Sequence, residues 1–311
     1  KAQGKIIFYN RPMDSRKINT FAAYGAAVNQ RARGAIEAAK VGAVAVLVRS
    51  MTTRLDKVPH TGAMHYDENV LKIPAAAIST MEANFLSKLI KQDEIVQVRL
   101  RLTCETLPDV PSANVIGEIT GTEIPDEVIV LGGHLDSWDK GQGAHDDGAG
   151  CVQSIEALRL LNSMGLRPKR TIRSVLFMNE ENGLRGGRKY AEMVKKENPK
   201  HIAAIESDRG GFMPRGFSVK TNEKTFNKIA HWGYLFESMD AGNIKPGYGG
   251  VDISPLDKLG VPTIGLVVES QRYFDYHHSD NDTFDKVNER ELELGAAAMA
   301  ILAYVLAMEG L

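Results

Sequence analysis

The chain has 311 residues, 38 Lys plus Arg against 39 Asp plus Glu, and 43% hydrophobic residues. That length and apolar content support two globular domains or one large one, and exclude disorder and small disulfide-stapled scaffolds. A formal net charge of -1 with no long basic run lacks the footprint that nucleic-acid binding needs, so the expected partner is small or peptidic.

In chain order, GKIIFYN reads as a strand, residues 22–40 as helix broken near Gly25 and Gly34, and GAVAVLVRS as a second, buried strand. IPAAAIS predicts another strand, residues 82–91 a helix capped by Ser79 or Thr80, and EIVQVRLRL a strand with Val96, Val98, Leu100 and Leu102 on one side. His60 and His65 fall in a polar loop and read as exposed histidines rather than as a metal site. Two prolines in LPDVPSANVIG interrupt the pattern, placing a domain boundary near residue 107. Beyond it EVIVLGGH, TIRSVLFMN, HIAAIESD and VPTIGLVVES are four apolar strands, with helices expected over 148–162, 186–197, 224–237 and 291–308. This predicts an α/β fold whose sheet is covered by helices on both faces. The apolar run 294–308 is shorter than the roughly 20 residues of a bilayer span, so it reads as a buried helix and no membrane partner is expected.

Cys104 and Cys151 are too few for a disulfide framework. Cys151 should be a buried, inert thiol. The first residue is Lys1, with neither initiator Met nor apolar signal segment, so the sequence reads as a processed chain or a piece of a longer one.

In such a sheet, ligands and catalysts collect beyond the carboxyl ends of the strands. One strand ends in His134-Leu135-Asp136, the next in Glu180-Glu181, and the next in Asp208; the last leads to His277-His278 and Asp282. His145-Asp146-Asp147-Gly148 opens a helix after a Gly-rich loop. A single carboxylate there is ordinary, but His, Asp and Glu at four strand ends and a helix start, with no Cys, match the nitrogen and oxygen ligands of catalytic zinc. Charge arithmetic favours two ions: two divalent cations balance three carboxylates and one hydroxide. Such a pair can hold a hydroxide and polarise a carbonyl, the chemistry of amide hydrolysis by water. Adjacent glutamates on an extended segment point opposite ways, so one ligates and the other transfers protons.

GGHLDSWDKGQGAHDDGAG, NEENG, ESD and HHSDNDT together resemble the motif set of the di-zinc aminopeptidase and glutamate carboxypeptidase family, in order and spacing over residues 110–311. Residues 1–107 resemble the protease-associated domain of many members. The resemblance implies a mixed, mostly parallel sheet in a catalytic domain from residue 108 to 311, whose N-terminal part is missing from this sequence. It implies two Zn2+ per chain, with His134 and Asp208 on one ion, Glu181 and His278 on the other, and Asp146 bridging. Glu180 matches the general acid/base, and Asp136 the carboxylate that orients His134. A cis peptide is implied between Asp146 and Asp147. Where many relatives have Tyr before the ligand, this chain has His277, leaving His277 or Tyr276 as the oxyanion donor or His277 as a packed residue. Asp252 resembles a substrate-pocket residue, or caps the helix that follows it. His145 reads as a helix-start or rim residue.

The expected function is hydrolysis of short peptides with a free N-terminus, as an aminopeptidase or dipeptidase, with a zinc carboxypeptidase as the alternative. A non-catalytic binding protein would have lost ligands, and a glutaminyl cyclase relative would use one zinc. By resemblance the protein is exported, to the periplasm or the extracellular space, and a homodimer stays open.

Overall fold

The structure is a computed structural model that describes residues 2–92, 95–197 and 200–311. Its elements in order are β1 (Ile6–Tyr9), α1 (Thr20–Gly25), α2 (Asn29–Ala32), α3 (Gly34–Lys40), β2 (Ala45–Arg49), β3 (Ala75–Ile78), α4 (Thr80–Lys91), β4 (Val115–Ile119) and β5 (Ile124–His134). There follow α5 (Ala149–Ser163), β6 (Arg170–Phe177), α6 (Arg185–Glu197), β7 (Lys200–Glu206), β8 (Pro214–Lys220), α7 (Glu223–His231), β9 (Asn243–Pro246), α8 (Ser254–Asp257), β10 (Thr263–Val268), the single turn α9 (Tyr273–Tyr276) and α10 (Glu289–Glu309). The chain divides into two compact units, residues 1–111 with 270–281, and residues 112–269 with 282–311.

The first unit holds a parallel three-stranded sheet in the order β1-β2-β3, with Ile6 opposite Ala45 and Val46 opposite Ala75. Parallel neighbours need a crossover, which α1 to α3 supply between β1 and β2. Ser79, not Thr80, caps α4: its hydroxyl accepts from Glu82 N–H while the Glu82 carboxylate accepts from Ser79 N–H. The strand expected over 94–102 does not form where it is described. Residue 94 lies outside the described residues, and 95–102 pair with no strand among them; Ile95, Val98 and Leu102 are exposed. Alternation supplies a face, but a strand also needs a neighbour for its backbone groups.

The second unit is built on a seven-stranded mixed sheet in the order β4-β6-β5-β7-β10-β8-β9. The four strands legible in the sequence are its four central ones, β6, β5, β7 and β10, and they are mutually parallel. β4 and β8 join antiparallel, and β9 pairs parallel with β8. These three lack the continuous apolar signature of the central strands: β4 is largely exposed and β9 is four residues ending in Pro246.

Alternating residues of β5 face opposite ways. Val128 and Val130 pack with Val175, Phe177, Tyr190 and Val194, the last two from α6, and with Ile253 and Leu256. Ile129 and Leu131 are equally buried, and α5 and α10 pack against β5 and β6. By length and composition α10 could cross a membrane. Here its Gly295, Ala296, Met299, Leu302, Ala303 and Leu306 are buried, as expected of a core helix.

The break after residue 111 falls close to the boundary expected near 107, but residues 108–311 do not form one body. Residues 270–281 go with the first unit because they carry its aromatic packing: Phe21 meets Tyr273 and Phe274 at 5.1 and 5.0 Å between ring centroids, and Tyr24 stacks on Phe274 at 4.8 Å.

Candidate metal centre

The centre of the second unit lies where β5 ends and α5 begins. This approach requires glycine: a Cβ on Gly133 would stand 2.7 Å from Cys151 N, and one on Gly150 would stand 1.9 Å from Ser207 O. Asp147 ties the two elements together. Its Oδ2 accepts from His134 N–H at 3.0 Å and its Oδ1 from Gly150 N–H at 3.0 Å. The Asp146–Asp147 peptide is cis. The buried Asp282 carboxylate accepts from His145 N–H at 2.7 Å and from Asp146 N–H at 3.1 Å, fixing the segment that presents the Asp146 side chain. His145 is not at a rim. It is buried, stacked on Phe212 at 4.2 Å, with Nδ1 accepting from Gly211 N–H.

The His134 ring is fixed from one side. Nδ1 lies 2.7 Å from the Asp136 carbonyl, which can only accept, so Nδ1 carries a hydrogen and Nε2 is the nitrogen left to face the carboxylates. Nε2 is buried and makes no hydrogen bond to any described residue. It lies 3.3 Å from Asp146 Oδ1 and 3.5 Å from Asp208 Oδ1. Zinc binds nitrogen and oxygen at about 2.0–2.2 Å, which puts tetrahedral ligand atoms roughly 3.3–3.6 Å apart. The two separations from Nε2 therefore fit two edges of one such coordination shell, and a buried Nε2 with no hydrogen-bond partner among the described residues gives that fit its reason.

The Asp136 carboxylate does not orient His134, contrary to the role the resemblance implies. Its nearer oxygen is 3.9 Å from Nδ1, because both oxygens are engaged elsewhere: Oδ1 accepts from Glu180 N–H at 2.9 Å and Oδ2 from Glu181 N–H at 3.2 Å. Asp136 thus clamps the turn after β6. That turn, entered through Asn179 at φ 67°, is not extended, so strand alternation does not separate the two glutamates. Their surroundings do. Glu181 is buried and accepts from Trp138 Nε1–H at 2.5 Å, whereas Glu180 is half-buried. His134, Glu180 and Glu181 can each bring a ligand atom into one cluster, as can His134, Asp146 and Asp208.

The electrostatics ask for cations. Burial pushes the Glu180 carboxyl up to about 8, helped by the Asp208 charge. Burial also holds Asp147 well above the usual carboxylate range, and Asp208 above it. For His134 burial works downward, but the Asp146 and Asp208 carboxylates outweigh it and leave the imidazole well above its ordinary value. Buried carboxylates of this density are costly unless compensated, and divalent ions compensate them. Cys151 donates its thiol to the His134 carbonyl at 3.0 Å, and burial raises its pKa.

Asp252 is buried, and neither carboxylate oxygen has a hydrogen-bond partner among the described residues. It does not cap α8, whose N-cap is Ile253. The buried Glu206 grips the backbone on both sides of it, accepting from Val251 N–H at 2.7 Å and Ile253 N–H at 2.9 Å. Neither this clamp nor those of Asp147 and Asp282 was read from the sequence. Each is a lone acid whose partners are backbone groups distant in sequence or in a loop, and no residue pattern records them.

Tyr276, His277 and His278 lie in the 270–281 segment of the first unit. His277 is buried, stacked on His278 at 3.6 Å, with Tyr24, Tyr273 and Phe274 around it. His60, expected to be exposed, is 1% exposed. Burial pushes it down to about 4, opposed by the His277 carbonyl and Asp56 and assisted by His278 and Arg54.

The model of peptidase family M28 matches residues 114–305. The chain belongs to that family. It is 38% identical over 306 residues to carboxypeptidase Q of Bos taurus, covering 98% of this chain and 63% of that protein. It therefore spans less than two thirds of the length of such curated relatives. A solved peptidase M28 precursor from Shewanella amazonensis SB2B is similar at 37% identity and TM-score 0.94, over 99% of this chain and 70% of that one. The zinc aminopeptidase BSAP from Bacillus subtilis shares the fold, at TM-score 0.65 and 18% identity, over 99% and 71%.

Proposed function

We propose that this M28 chain is a co-catalytic di-zinc exopeptidase acting on short peptides with a free N-terminus. The observation that carries the reading is His134 Nε2, buried, without a hydrogen-bond partner among the described residues, and 3.3 and 3.5 Å from two carboxylate oxygens. His134 and Asp208 would hold one ion, Glu181 and His278 the other, with Asp146 shared; the assignment of His278 rests on its place in the HHSDNDT motif. When bound, the ions supply activation of water and polarisation of the scissile carbonyl.

Glu180 takes the proton of the attacking water and passes it to the leaving amine, a task suited to a half-buried carboxylate whose backbone is pinned by Asp136. Tyr276 or His277 would donate to the carbonyl oxygen as charge develops. Asp252 would receive the substrate ammonium. We further propose that the first unit is of the protease-associated type and that the protein is exported, both by resemblance alone.

A second reading has its own support. Carboxypeptidase Q of Bos taurus bears the name of a carboxypeptidase, whereas the Bacillus subtilis enzyme of like fold is an aminopeptidase. Unblocked and N-acetylated dipeptides separate the two. Amine recognition predicts that acetylation lowers kcat/KM by more than about tenfold, some 1.4 kcal/mol of transition-state binding. Equal cleavage of both would replace this reading with the carboxypeptidase.

A further inference from the structure

The turn 277–278 is held by a loop far outside the span the family model matches. His60 Nδ1 lies 2.7 Å from the His277 carbonyl. A carbonyl only accepts, so Nδ1 carries the hydrogen and donates it. The next residue grips the next one: Thr61 N–H donates to the His278 carbonyl at 2.9 Å, and His278 Nδ1 donates to the Thr61 carbonyl at 3.4 Å. His60 is itself anchored on the small sheet, its N–H donating to Ser50 Oγ at 2.8 Å, whose hydroxyl donates to the Ile78 carbonyl at 2.7 Å. Four residues earlier in the same loop, Asp56 Oδ2 accepts from Asn281 Nδ2 at 3.1 Å.

Two features give these bonds a purpose beyond packing. His278 stands at φ +56°, a left-handed conformation that a non-glycine residue keeps only where its surroundings impose it. His60, buried, leaves Nε2 without a partner among the described residues. An apolar side chain of similar size would avoid that unmet lone pair. The imidazole carries the cost, and what it offers in return is the Nδ1–H bond to His277.

We propose that His60 and Thr61 are positioning residues for His278: together they impose its backbone conformation and, through the Thr61 carbonyl, the tautomer that leaves Nε2 as the lone-pair nitrogen. The inference rests on the reading above that His278 is a zinc ligand. A ligating histidine commonly donates its other ring N–H to a backbone carbonyl, and such partners typically change metal affinity by roughly 10- to 100-fold.

The test is zinc titration of the metal-stripped full chain against a competing chelator, with amide exchange of residues 277–279 followed in parallel. His60→Leu is expected to weaken one of two zinc sites roughly 10- to 100-fold, leave the other unchanged and speed exchange at 277–279. His60→Asn places an amide N–H where Nδ1 stands and is expected to restore both affinities and the slow exchange. Unaltered zinc binding by His60→Leu would overturn the inference, as would equal impairment of His60→Asn. Should His60→Leu fail to fold, His60→Gln, whose amide reaches one carbon too far, takes its place in the comparison with His60→Asn. His278→Ala separates the layers. Loss of one zinc there with none lost in His60→Leu rejects the positioning role alone, while retention of both zincs in His278→Ala removes the ligand reading and this inference with it.

Discussion

His134 and His60 are both 1% exposed, yet the two regions around them are opposite in character. At His134 two carboxylates face Nε2 and overcome burial, so the ring is drawn toward positive charge. At His60 a carbonyl takes Nδ1–H, Nε2 has no hydrogen-bond partner among the described residues, and burial pushes the ring down to about 4. Burial alone therefore says nothing about a histidine's task. The neighbours decide, and they mark the first region as a place for cations and the second as a fixed hydrogen bond.

The largest expected effect tests the cationic region. Asp146→Ala should remove metal as well as activity, with kcat/KM falling by at least the 10²–10³-fold, or about 3–4 kcal/mol, of a single lost electrostatic group. Elemental analysis of the metal-replete protein, expected to give two divalent ions in the wild type, reads the first effect; full activity of the variant would remove the bridge assignment. Within the same region, Glu180→Gln should keep metal content while kcat falls by roughly 10²-fold or more, whereas Glu181→Gln should lose metal too. Equal metal loss in both would exchange the two roles or merge them.

The other half of the comparison is reached by pH. The His60 value in the fold lies below the 6.5 of an unfolded histidine. Between the two the unfolded chain binds a proton that the folded one does not, so stability is complete above about 6.5 and lost as pH falls toward about 4. That difference corresponds to about 3 kcal/mol at most. Urea unfolding of wild type and His60→Asn between pH 7 and 4 should show the wild type losing this much more; parallel curves would mean that the ring is protonated in the fold.

The smallest expected effect separates carboxylate from carbonyl. Asp136→Asn keeps the carbonyl that holds His134 but gives up one of two acceptors for the Glu180–Glu181 turn. Metal affinity should drop about tenfold, with the ion that Glu181 serves affected and the ion that His134 and Asp208 serve spared. Selective loss at the His134 ion would restore the orienting role to the carboxylate.

The sequence by itself determined the elements whose signals are local. Four apolar, β-branched runs became the central parallel strands, and parallel order alone brings their carboxyl ends to one edge. His134, Asp146, Glu180, Glu181 and Asp208 were legible because each sits at such an end or at the helix start beside it. Cys151 was legible as inert because a helix buries the face turned to its sheet. What only the tertiary structure decided involves partners far apart in sequence. The β8 and β9 strands and the missing strand at 95–102 turn on whether a neighbour is present to take backbone hydrogen bonds. Asp136, Asp147, Glu206 and Asp282 turn on which N–H groups face a carboxylate. His60 is the sharpest case: 217 residues separate it from the carbonyl it holds, and a loop histidine in sequence becomes a buried donor once the chain closes around it.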